Sequence, residues 1–263
     1  MKKLLLSMAI TVGFAGSALA ADLGRAPIYK APAPVAVANW TGCYIGAGGG
    51  YGMFNQDHRT LDPLGVPFAG QSGTVTTGGR GWFGTVQAGC DYQFSERWVV
   101  GAFGDWDFGS IKGNLSPAVT GNTFVGEERL KNSWAVGGRV GYLVVPQLLT
   151  FISGGYTQAR FDGVNFTAPA PANLSMDAQT YKGWFLGSGV EYAIDMLPGL
   201  YWKTEYRFAQ YKAERPALTS VAVIGGPAGG LVGFEDSTKY VQTIRSELVY
   251  RFNFGGGPVV AKY

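Results

Sequence analysis

Residues 82 to 94, WFGTVQAGCDYQF, sort cleanly by parity. Counting every second residue from Trp82 gives Trp, Gly, Val, Ala, Cys, Tyr and Phe. The residues between them are mostly polar. A period of two is the signature of a β-strand whose two faces meet different surroundings. The pattern recurs in about eight segments, near 40–53, 82–94, 98–109, 130–143, 148–161, 180–193, 200–211 and 238–254. The oily set is Trp98, Val100, Ala102, Trp106 and Phe108 on the third and Leu130, Trp134, Val136, Val140 and Tyr142 on the fourth. On the sixth it is Trp184, Leu186, Val190 and Tyr192. The seventh carries Leu200, Trp202, Tyr206 and Phe208, and the eighth Tyr240, Ile244, Leu248, Tyr250, Phe252 and Phe254. The first segment is Gly-rich, with Ile45, Ala47 and Tyr51 assigned to its oily face; the fifth is apolar on both parities.

The opposite faces hold Asp91, Asp105, Asp107, Lys131, Arg139 and Glu191. Further along they hold Lys203, Glu205, Arg207, Lys239, Arg245, Glu247 and Arg251. A soluble sandwich would bury the oily face and show these charges to water. A membrane barrel inverts the arrangement, with lipid against the oily face and the charges inside. Periodicity alone does not choose, but aromatic placement does. Trp82 and Phe94 bracket an apolar stretch that, at ~3.3 Å per residue and a ~45° tilt, reaches roughly 28 Å along a membrane normal. That is close to the ~25 Å band between the aromatic girdles of outer-membrane barrels. The intervals between segments alternate long and short: 54–81, 95–97, 110–129, 144–147, 162–179, 194–199 and 212–237. Short turns on one side and long loops on the other match periplasmic turns and extracellular loops. Closure follows because lipid cannot satisfy an open sheet edge. The expected fold is all-β, an eight-stranded antiparallel up-and-down transmembrane β-barrel with both termini periplasmic.

Composition agrees. Charged residues are 15% where about 25% is usual in soluble domains. A net charge of +3 is too mild to argue for nucleic acid. Residues 1–20, MKKLLLSMAITVGFAGSALA, have the basic start, short apolar core and Ala18-Leu19-Ala20 ending of a secretory signal peptide. Residues 21–39 form an Ala/Pro-rich leader expected in the periplasm, 40–254 the barrel, and 255–263 a tail.

The leader AADLGRAPIYKAPAP, the entry WTGCYIGAGGGYG, the segment GWFGTVQAGCDYQF and the ending SELVYRFNFGGGPVVAKY resemble the outer-membrane β-barrel family of alphaproteobacteria. That family includes the RopB-type major outer-membrane surface proteins. The resemblance spans essentially the whole chain. It implies an abundant, porin-like outer-membrane barrel with roles in envelope integrity and host contact, and no catalytic site. The barrel-assembly machinery often reads a terminal aromatic strand. Here GGGPVVAKY follows, so the signal is expected internally, at Tyr250, Phe252 and Phe254.

Eight strands leave an interior just wide enough for side chains. The inward set has seven basic residues (Lys131, Arg139, Lys203, Arg207, Lys239, Arg245, Arg251) and six acidic ones (Asp91, Asp105, Asp107, Glu191, Glu205, Glu247). Near balance points to a plugged core, whereas a selective pore favours one sign. Arg139, Glu205, Arg207, Arg245 and Glu247 are expected at its centre. The alternative is a narrow porin for ions or small solutes. A lipid-modifying enzyme is a third reading, but the single His, His58, sits beside Asp57 and Arg59 in the first long interval and reads as solvated. GAGGGYG at 46–52 lacks the strand–turn–helix context of a phosphate loop. No cofactor and no metal-ligand spacing is read.

Cys43 and Cys90 fall near the periplasmic ends of adjacent segments. They are either a cross-strand disulfide or two small lipid-facing residues that stay free. The long loops are where a host or surface ligand would be met. The other expected contacts are outer-membrane lipid and the assembly machinery.

Overall fold

The computed structural model describes residues 39–68, 74–119, 122–167, 173–221 and 229–252. The expected signal peptide, nearly all of the expected leader, the expected tail and Phe254 lie outside the described residues. Thirteen strands run in chain order: β1 Gly42–Leu61, β2 Val75–Gln93, β3 Trp98–Leu115, β4 Ala118–Val119, β5 Asn122–Thr123, β6 Gly126–Val145, β7 Leu148–Phe161, β8 Val164–Thr167, β9 Asn173–Met176, β10 Gln179–Ala193, β11 Leu200–Glu214, β12 Ala217–Ser220 and β13 Leu231–Phe252. The long ones pair antiparallel in the order β1-β2-β3-β6-β7-β10-β11-β13, and β13 pairs back onto β1 from Phe252 opposite Cys43 to Phe234 opposite Leu61. Eight strands therefore close into a barrel.

The outward side is apolar and exposed, with Trp82 74%, Ile152 64% and Leu186 58% accessible. The inward side is charged and sealed, with Glu191, Glu205 and Lys239 at 0%. Polarity is inverted relative to a soluble fold. An apolar surface of this extent wets favourably only in hydrocarbon. Aromatics ring both rims. Trp98 meets Tyr142 and Tyr250 meets Phe252 at the short-turn rim, with ring centroids 5.2 and 5.1 Å apart. At the other rim Tyr51 meets Trp82, Trp134 meets Tyr156, and Trp184, Phe208 and Tyr240 follow in series. The parity of β7, ambiguous in sequence, resolves with Ile152 and Tyr156 outward and Phe151 and Ser153 inward.

Two expectations are corrected here. Lys131 is not inward. A β-bulge in the β6–β7 ladder between Leu130 and Asn132 reverses the alternation, so Leu130 turns in at 4% exposure while Lys131 turns out at 52% and meets Asp162. The first long interval, expected from residue 54, is largely strand, because β1 and β13 remain paired to Leu61. His58 is therefore not solvated: it lies inward on β1 at 2% exposure.

Beyond the long-loop rim the ring changes membership. β7, β10 and β11 leave the sheet, and β8, β9 and β12 continue from β13 in the order β13-β12-β9-β8. A bridge between Val125 and Thr167 links this extension to the chain entering β6. Leu115, Phe124, Val164, Phe166, Leu174, Met176 and Leu218 pack beneath it, with Phe68 and Val232 against them. These apolar side chains form a cap over the long-loop mouth.

Candidate functional site: the charged lumen

Strand alternation places inward side chains in tiers across the barrel axis, so partners distant in sequence meet. Nearest the short-turn rim, β2, β6, β10 and β13 contribute Asp91, Arg139, Glu191 and Arg251. Arg139 Nη2 lies 2.5 Å from Asp91 Oδ2, and its Nη1 lies 2.8 Å from Glu191 Oε2. Arg251 reaches the same two carboxylates, each at 2.7 Å. Two cations and two anions thus alternate in a closed ring, which limits the desolvation cost of each. Flat rings sandwich the guanidinium groups: Arg139 lies 4.9 Å from the Tyr44 centroid, and Arg251 lies 5.0 Å from that of Trp40. Trp40 is 0% exposed and precedes the first strand. Its Nε1 donates to Pro146 O at 3.0 Å, and its own carbonyl accepts from Arg251 Nη1 at 3.2 Å. Tyr201 Oη donates to Asn39 O at 3.0 Å. Residues 39 and 40 therefore fold across the short-turn mouth.

The middle tier is larger. Lys203 Nζ sits 3.1 Å from both Glu205 and Glu247 and donates to Gln87 Oε1 at 2.9 Å. Gln87 Nε2 donates in turn to Glu247 Oε2 at 2.8 Å, and Ser153 Oγ to Glu205 Oε1 at 2.7 Å. Arg207 bridges Glu205 and Asp105 at 3.2 and 2.9 Å. Arg245 joins Asp107 at 2.9 Å and Asp105 at 3.5 Å. The backbone must come close to make this network fit. A Cβ on Gly187 would lie 2.6 Å from Glu205 Oε1 and would also collide with Ser153 Oγ.

The upper tier, near the long-loop rim, joins Lys239 to Glu128 at 2.7 Å and to Gln56. His58 Nδ1 lies 2.5 Å from Glu235 Oε1, whose other oxygen accepts from Thr60 Oγ1 at 2.9 Å.

The structure brings all five residues expected at the centre of the lumen into contact with opposite charge or a hydrogen-bonding partner. Arg139 belongs to the lower ring, whereas Glu205, Arg207, Arg245 and Glu247 share the middle tier. Cys43 and Cys90, directly opposed in the β1–β2 register, are joined by a disulfide on the outward face. Tyr250 and Phe252 end β13 facing outward.

Sequence reasoning missed the inward aromatics. Arg207 stacks 4.3 Å from the Phe185 centroid, Arg245 5.4 Å from Phe83, and Lys239 4.4 Å from Phe161. The available signal was parity, since Phe83 and Phe185 each adjoin an outward Trp. Glu128, Gln56 and Glu235 were missed because they lie beyond the membrane-spanning alternation. Among the described residues, no three His, Cys, Asp or Glu side chains are arranged to hold a metal ion.

No family model matches the chain. Two curated relatives do: the 31 kDa outer-membrane immunogenic proteins of Brucella melitensis biotype 1 and Brucella suis biovar 1. Each is 33% identical over 199 residues, covering 74% of this chain and 82% of the relative. Among solved structures, the outer membrane protein OprG from Pseudomonas aeruginosa matches at 11% identity with a TM-score of 0.49, over 82% of this chain and 99% of that one. Neisserial surface protein A matches at 11% identity with a TM-score of 0.36, over 81% and 98%.

Proposed function

The chain belongs to the family of the 31 kDa outer-membrane immunogenic proteins, and from that premise we propose that it is a non-enzymatic, non-conducting barrel. It stiffens the outer membrane and presents a folded surface to the outside. The observation that carries this reading is occlusion of the axis. Three tiers of paired charge fill the lumen, Trp40 lies across one mouth, and an apolar cap lies over the other. An ion entering such a path would have to displace partners already in contact with each other. The orientation goes with the reading: long loops outward, short turns in the periplasm.

A catalytic role is set aside because His58 and Glu235 are 2% and 1% exposed and are committed to each other. No substrate reaches them. Tyr250 and Phe252, with Phe254 beyond the described residues, serve as the assembly signal. The long loops outside the cap are where a host or surface ligand would be met. Planar-bilayer recording of the refolded full chain tests the reading. Silent insertion is expected; reproducible conductance steps would replace the plug with the narrow-porin alternative.

A further inference from the structure

The outward face carries a second ordered feature, just above the long-loop aromatic ring. On β2 and β10, Arg80 and Lys182 stand two residues beyond Trp82 and Trp184. On β3, β7 and β11, Lys112, Arg160 and Lys212 stand four residues beyond Phe108, Tyr156 and Phe208. β6 adds Arg129 and Lys131. At ~3.3 Å per residue and a ~45° tilt, these heads lie roughly 5 to 9 Å above the ring. That is the depth of lipid headgroups. Six neighbouring strands therefore each place a cation at one level.

These cations are poorly neutralised within the protein. Arg80 is directly opposite Lys112, and Lys112 directly opposite Arg129. Like charges so placed destabilise a sheet unless an anion lies over them. Glu127 pairs with Lys112 at 2.8 Å, and Asp162 is shared by Arg129 and Lys131 at 3.2 and 3.8 Å. Arg80, Arg160, Lys182 and Lys212 are exposed and have no ion-pair partner among the described residues. The remaining arc, on β13 and β1, holds two acids and one cation: Asp236, paired with Arg59 of β1 and with Arg215, and Asp57, which accepts from Thr76. At the short-turn rim the exposed charges among the described residues are Glu96, Arg97 and Asp195, a single cation. The excess is confined to one rim.

We propose that the arc from β2 to β11 is a binding surface for the phosphorylated glycolipid headgroups of the outer leaflet. Trp82, Tyr156, Trp184 and Phe208 would pack on the acyl–headgroup boundary while the Arg and Lys heads take the phosphates. The inference deepens the proposed function, and it takes its assignment to the outer leaflet from the orientation given there.

The test uses the refolded full chain in zwitterionic detergent, where neither orientation nor conductance enters. The heat-modified gel midpoint is followed while lipopolysaccharide, phosphatidylcholine or inorganic phosphate is added. Lipopolysaccharide is expected to raise the midpoint, phosphatidylcholine is not, and salt should blunt the rise. Near an anionic surface each cation contributes about fivefold in affinity. The R80Q/R160Q/K182Q/K212Q variant should therefore lose on the order of a hundredfold or more. K182Q/K212Q, which leaves the other strands untouched, should lose roughly twenty-five-fold. R97Q at the opposite rim should lose nothing. Wild-type affinity in both multiple variants would overturn the proposal. So would an equal rise with inorganic phosphate at matched phosphate concentration, which would mark isolated anion sites, or an equal loss in R97Q.

Discussion

Arg139 shows what a single side chain carries in this lumen. Two carboxylates, Asp91 and Glu191, depend on it and on Arg251. Replacing Arg139 with Ala leaves two buried anions facing one cation. A broken buried pair costs about 3–5 kcal/mol, because the orphaned charge stays desolvated. Urea unfolding in detergent should show a drop of that order for R139A. A drop under about 1 kcal/mol would mean water enters the ring and screens it. The residues of this ring were readable from parity, since each interrupts an oily alternation with a charge. Lys131 was not readable. One extra residue in a ladder reverses every side chain beyond it, and nothing in the stretch GEERLKNSW marks where the extra residue falls.

At the scale of the element, lipid dictates the sequence only where it touches the strand. Between the aromatic rings the alternation is strict, and strand limits there are legible. Above the long-loop ring β1 continues as NQDHRTL, polar on both faces, so the same strand loses its signature and reads as loop. The cap strands β8, β9 and β12, each of four residues, are too short for a period to declare itself. Phe166, fully buried in the cap, should be costly to remove: F166A is expected to lose about 3–5 kcal/mol locally. Because the cap core is separate from the lumen tiers, limited proteolysis should then cut between β7 and β10 while a barrel-sized core survives. Loss of that core as well would show that cap and barrel unfold together. The β1–β2 pair carries a different constraint. The disulfide joins positions 47 residues apart, for which chain-entropy arguments give at most about 4 kcal/mol. The ladder already fixes this register over its whole length. The C43S/C90S protein should therefore still fold to the same heat-modifiable band and lose only part of that in urea. Failure to form the band would make the bridge a requirement for pairing these strands.

For the whole molecule, one physical fact organises the rest: the solvent is outside and apolar, so the hydrophobic effect does not hold the barrel shut. Closed backbone pairing and neutralised charge do. The closed ring was legible because alternation, rim aromatics and loop lengths all require it. The cap and Trp40's place across the mouth were not, because they depend on contacts between segments far apart in sequence. Inversion makes a depth-dependent prediction. Val86 is outward on β2 between the rings and 44% exposed, whereas Tyr92 stands at the short-turn rim at 61%. An arginine replacing Val86 would sit where hydrocarbon offers it no partner, at a cost of about 2–4 kcal/mol; one replacing Tyr92 reaches headgroups and should cost about 0–1 kcal/mol. Folding equilibria in phospholipid vesicles would separate V86R from Y92R by that margin. In a water-facing sheet the two would be nearly equal, since an outward arginine is then solvated at either position. Equal values in vesicles would thus mean that Val86 does not face lipid, and the inward charges would need another explanation.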